Sequence, residues 1–143
     1  MRGSLRLGKV FGIPLQLHFS WFVVFALVVA SLAFTYTGYP IWERVVSGII
    51  ASLLCFASVT AHELAHSVVA IRNGIQVKSI TLFIFGGVAQ IAREAKQPAV
   101  ELIMAVAGPL CSLLLGIIFC AFWFLMRGTG ESLMIELVLF LGA

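Results

Sequence analysis

The 143-residue chain is 62% hydrophobic and only 10% charged, with a mean hydropathy of +1.12, a balance that excludes an ordinary soluble domain and a disordered tail alike. Its net charge of +3 gives little reason to expect nucleic acid as a partner, and the placement of the charges points instead to membrane topology. Cys55, Cys111 and Cys120 lie in apolar stretches with no Cys-x-x-Cys pair, so buried packing is expected rather than a disulfide framework.

In chain order, residues 8–18 alternate apolar side chains around Gly12 and Pro14, which predicts a short hairpin or an extended lead-in to the first apolar stretch. His18 is assigned a structural place at the membrane interface, because nothing in the sequence sets it near another ligand. Ser31-Leu32-Ala33 could pass as a signal-peptide cleavage site, but the long patterned lead-in argues against cleavage. Residues 19–36, 45–71 and 100–126 are each read as a membrane-spanning helix, against the roughly 20 residues a span requires. A fourth apolar stretch begins at Ser132 and reaches the last residue, Ala143, after too few residues to cross, so the chain reads as C-terminally truncated. The expectation is a single membrane-embedded unit over residues 1–143. Its fold would be an all-α integral membrane bundle with three complete spans, the start of a fourth, and short β-hairpins at the cytoplasmic side.

Arg2, Arg6 and Lys9 precede the first stretch, and Arg72, Lys78, Arg93 and Lys96 lie between the second and third. The positive-inside rule therefore puts the N-terminus and the loop from Arg72 to Pro98 in the cytoplasm of a multi-pass protein, with a bacterial-type plasma membrane as the expected location.

The second stretch contains His62-Glu63-Leu64-Ala65-His66. On a helix the two histidines stand one turn apart on one face, the spacing at which both imidazoles can hold one zinc, with Glu63 beside them as a general base. An ionised carboxylate in a membrane helix costs about 2.5–3.5 kcal/mol on insertion scales, and a bound metal is the simplest compensation. Gly48, Ala51, Cys55 and Ser58 share the face of His62, which directs that face toward neighbouring helices.

Next, residues 75–85 are β-branched and aromatic, reach Gly86-Gly87, and resume at Val88, which predicts two short strands around a Gly-Gly turn. Unpaired strand edges beside the His/Glu helix would let an extended peptide add as a further strand, and Phe85, Gly86 and Gly87 are the candidate substrate-holding residues. In the third stretch Gly108, Ser112, Gly116 and Cys120 recur every four residues as a packing face. Pro109 would free the carbonyl of Ala105, and Glu101 suits the positive end of the helix dipole.

Taken in order, Gly12-Ile13-Pro14 running to His18, His62-Glu63-Leu64-Ala65-His66, Phe85-Gly86-Gly87, and Ala107-Gly108-Pro109 with Ser112 make the chain resemble the site-2 protease family of intramembrane zinc metalloproteases. Its opening pattern is most similar to the branch whose members often carry nucleotide-binding regulatory modules, and the loop from Arg72 to Pro98 is too short for the PDZ domains of other branches. The resemblance implies hydrolysis of a peptide bond in or near a transmembrane segment of a membrane-anchored protein. His62 and His66 would bind zinc, while Glu63 takes a proton from the attacking water and passes it to the leaving amine. It also implies a third zinc ligand, an aspartate in a Leu-Asp-Gly context on a later span, whereas this sequence contains no aspartate. Glu136 is a poor substitute, standing near the opposite side of the membrane.

Other readings follow from the same residues. A non-catalytic binding or regulatory protein would account for the missing ligand. A zinc transporter would need a relay of ligands that three histidines do not supply, and no serine or cysteine has a histidine base at an acyl-transfer spacing. The sequence leaves homo-oligomerisation open.

Overall fold

The computed structural model describes residues 4–84, 86–91 and 97–126. Its elements run β1 (Ser4–Val10), β2 (Ile13–His18), α1 (Ser20–Thr35), α2 (Ile41–Arg72), β3 (Val77–Phe83), β4 (Gly86–Ile91) and α3 (Pro98–Met126). The four strands form one sheet in the order β1-β2-β3-β4.

This corrects the expected fold class. The described residues form three helices and a four-stranded mixed sheet rather than an all-α bundle with three complete spans, and only α2 and α3 are long and apolar enough to cross a membrane. The first stretch has no room to lengthen: the helix begins at Ser20, just after β2 ends at His18, and stops at Thr35 ahead of Gly38 and Pro40. The remaining 16 residues of α1 reach about 24 Å at 1.5 Å per residue, short of a hydrocarbon core of about 30 Å. The fourth stretch, with Glu136, lies outside the described residues.

The described residues fall into two compact units. The first comprises residues 4–23 and the described residues between 59 and 112, and it holds all four strands. There β1 and β2 form the expected hairpin, turning at Phe11 and Gly12, whose φ angles of 50° and 81° are those of a type I′ turn. Along β2, Ile13, Leu15 and Leu17 are buried and alternate with half-buried Pro14, Gln16 and His18. β2 then pairs in parallel with β3, Leu15 opposite Ile80 and Leu17 opposite Leu82. That pairing buries Ser79, Ile80, Thr81 and Leu82 in succession, as a central strand covered on both faces requires. β3 and β4 are antiparallel, with Phe83 opposite Gly86 and Leu82 opposite Gly87. The turn therefore comes before the glycines, which belong to β4 rather than to the expected Gly-Gly turn.

α2 ends on a Schellman motif that sends the chain into β3. The amide of Gly74, at φ 76°, donates to the carbonyl of Ile71, and the amide of Ile75 donates to that of Ala70.

In the second unit, residues 24–58 and 113–126, Leu32 of α1 and Ala51 of α2 are buried together, with Val28, Tyr36 and Tyr39 packed around them. Gly48 permits this approach, since a Cβ there would stand 3.0 Å from the Cα of Val29. Arg44 donates from Nη1 to the carbonyl of Ala33 at 2.5 Å, satisfying a C-terminal carbonyl of α1. The small-residue face is buried at Gly48 and Ala51, but Cys55 is exposed. In this unit α3 keeps Leu113, Leu114 and Leu125 exposed, as a lipid-facing helix does.

Candidate metal centre

The site is built within the first unit on the C-terminal half of α2. One helical turn carries the imidazoles of His62 and His66 to a ring-centroid separation of 4.8 Å, with their planes at 74°. Their Nε2 atoms are 3.1 Å apart. Two imidazole nitrogens bound to one tetrahedral zinc at about 2.0–2.1 Å stand about 3.3 Å from each other, so the pair fits a shared zinc.

Each ring is held from behind by α3. Nδ1 of His66 is 2.5 Å from the carbonyl oxygen of Met104, and a carbonyl only accepts, so that nitrogen carries the proton and Nε2 keeps a lone pair. Nδ1 of His62 is 2.8 Å from Oγ of Ser112. Between these two contacts on the same face lies Gly108. A Cβ at Gly108 would collide with Nε2 of His66 and stand 2.6 Å from Nε2 of His62. The missing side chain thus leaves open the space onto which both nitrogens converge, the second observation that fits a metal.

Glu63 is half-buried beside the pair and accepts a hydrogen bond from the amide of Gly87 in β4. A Cβ at Gly87 would collide with the Glu63 side chain, lying 2.7 Å from its Cδ. The second glycine is required for the approach of the strand to the carboxylate, while Gly86, at φ 125°, opens β4 in a conformation that favours glycine. Phe85 lies outside the described residues.

His18 does not join the pair. Its Nδ1 accepts from the backbone amide of Ser20 at 3.2 Å and lies 2.9 Å from the Ser20 hydroxyl, its ring packs 5.2 Å from that of Phe83, and the Ile84 amide donates to Ser20 Oγ at 3.3 Å. Together these contacts tie β2 to the end of β3. In the sequence Ser112 and Gly108 read as helix packing, and the structure adds their contacts with the histidines. Their four-residue spacing on a helix, matching that of His62 and His66, was the available signal. Among the described residues no group of three or more histidine, cysteine, aspartate or glutamate side chains is poised around one metal position.

The profile of peptidase family M50 matches residues 50–140. The chain belongs to peptidase family M50. Family members similar to it include the candidate zinc metalloprotease sll0528 of Synechocystis sp., 44% identical over 121 residues that make up 80% of this chain and 31% of that protein. The candidate zinc metalloprotease Rip3 of Mycobacterium tuberculosis is 41% identical over 125 residues, 85% of this chain and 32% of that protein. The site-2 protease from Methanocaldococcus jannaschii has a solved structure that superposes with a TM-score of 0.63 at 30% identity, covering 97% of this chain and 62% of that one. The chain spans about a third of the length of the curated relatives it matches. Family membership and two helices of spanning length make this M50 chain part of a membrane protein.

Proposed function

We propose that the full-length protein carrying this chain is an intramembrane zinc metalloprotease that hydrolyses a peptide bond in or near the transmembrane segment of a membrane-anchored protein. The observation that carries this reading is the convergence of the His62 and His66 Nε2 atoms to 3.1 Å beside Glu63. His62 and His66 supply two of the three protein ligands that a catalytic zinc uses. When bound, zinc supplies a Lewis acid that polarises the scissile carbonyl and makes water nucleophilic near neutral pH.

Glu63 is the general base: a carboxylate oxygen takes a proton from the attacking water and delivers it to the leaving nitrogen. The Gly87 amide holds that carboxylate on the side of β4. Among the described residues β4 is the last strand of the sheet, and its outer edge receives the substrate as an added extended strand, with Gly86 and Gly87 at its near end. The N-terminus lies in the cytoplasm of a multi-pass protein of a bacterial-type plasma membrane. The pairing of β1 with β2 and of β2 with β3 supports this, because it holds Arg6 and Lys9 of β1 and Lys78 of β3 in one sheet and so on one side.

Cleavage of a membrane-anchored substrate by full-length protein, compared with its Glu63→Gln variant, tests the reading, with zinc content measured on both. The variant should retain zinc and lose cleavage by at least about a hundredfold. Zinc retained together with wild-type cleavage would assign the base elsewhere, and equal zinc in wild type and His62→Ala would remove the metal site.

A further inference from the structure

The two histidines are not held in the same way, and the difference is chemical. Met104 offers His66 a carbonyl, which can only accept, so His66 has a single tautomer with its lone pair on Nε2. Ser112 offers His62 a hydroxyl, which can accept or donate. At 3.1 Å from the lone pair of His66, Nε2 of His62 has two states to choose from. Without a cation it carries its proton and donates to His66, and the Ser112 hydroxyl donates to the bare Nδ1 of His62. With a cation between the rings both Nε2 atoms must be bare, so the His62 proton sits on Nδ1 and donates to Ser112 Oγ.

We propose that Ser112 is a positioning residue that lets His62 change tautomer when metal binds, holding the ring in place in both states by turning its hydroxyl. His66 is the fixed member of the pair and His62 the adaptable one. The exchange needs no co-reactant: one proton leaves Nε2 to water, another reaches Nδ1 from water, and the imidazole stays neutral. Gly108, between the two contacts on α3, keeps clear the space on which the proposal depends. The inference rests on the reading of His62 and His66 as zinc ligands.

The test uses the full-length protein in detergent with zinc as the probe. Apparent zinc affinity is measured by chelator competition, and histidine tautomers by 15N resonance at alkaline pH, where the imidazoles are neutral. In the wild type, His62 should move from the Nε2–H to the Nδ1–H form as zinc is added, while His66 stays Nδ1–H throughout. Ser112→Ala should weaken zinc binding about tenfold, the lower end of what losing a hydrogen-bond partner of a metal-bound histidine costs, and leave metal-free His62 in mixed tautomers. Ser112→Thr, which keeps the hydroxyl at this exposed position, should remain within about twofold of wild type. Wild-type zinc affinity in Ser112→Ala, or a His62 ring already Nδ1–H without metal, overturns the inference. His62→Ala separates the two levels: if it loses zinc while Ser112→Ala does not, the ligand reading stands and this inference fails, and if it binds zinc as the wild type does, the ligand reading itself fails.

Discussion

Gly87→Ala is the sharpest perturbation the site allows, because it acts on the carboxylate while its closest contacts spare both histidines. The nearest atoms to an added Cβ are all of Glu63, with Cδ at 2.7 Å and Oε1 at 3.1 Å, whereas carbon atoms settle at about 3.5–4.0 Å. The carboxylate must therefore retreat by about 1 Å, and a misplacement of that size costs on the order of a hundredfold in rate, or about 2.7 kcal/mol of barrier. The assay is cleavage of a membrane-anchored substrate by full-length protein, with zinc content as the control. Turnover should fall about a hundredfold with zinc retained. The neighbouring Gly86→Ala is the comparison: its Cβ meets nothing within 4 Å but is strained by a φ of 125°, so it should weaken the β3–β4 hairpin instead. Unchanged turnover in Gly87→Ala would refute the argument that β4 fixes the position of the base.

Gly48→Ala should destabilise the packing of α1 on α2 by about 1–3 kcal/mol, since its Cβ meets the backbone of Val29 at 3.0 Å; thermal unfolding in detergent measures this. Phe11 is 78% exposed and holds a positive φ without the freedom of glycine, so Phe11→Asn should relieve about 1 kcal/mol of strain. Slower amide exchange in β1 and β2, by about fivefold, is the readout. Single cysteines at Lys9 and Gln97, both exposed, should be labelled from the cytoplasmic side of sealed vesicles in a cysteine-free background. Labelling from opposite sides would contradict the placement of both basic segments in one compartment.

What could be read from the sequence was local. The spacing of His62 and His66 fixes their shared face within one helical turn, and the apolar runs of α2 and α3 announce their length. The β1–β2 and β3–β4 hairpins follow from alternation between near neighbours. The parallel pairing of Leu15 with Ile80 joins residues far apart in sequence, and no short-range pattern sets that register, so the sheet was read as separate hairpins. The contacts of His62 with Ser112 and of His66 with Met104, 50 and 38 residues apart, are equally non-local. A serine within a small-residue stripe looks like packing until a ring nitrogen is found against it, and the Met104 contact uses backbone, which the side chain does not advertise. Gly86-Gly87 was given to a turn because consecutive glycines usually serve one. Here the strand has already turned, and the second glycine is there for Glu63.

The outer edge of β4 has a further consequence for hydration. Among the described residues no strand pairs with it, and Glu63, which engages Gly87, lies nine residues before the end of α2 at Arg72, about 13 Å along the helix. On the proposed reading this lies within the membrane, where amides and carbonyls cannot be left facing lipid. On the proposed reading, the edge is solvated whenever no peptide occupies it, so the strand that receives a substrate also keeps a wet pocket beside the carboxylate. An incoming peptide would displace that water along its own length, leaving behind the molecules nearest Glu63, where hydrolysis needs one.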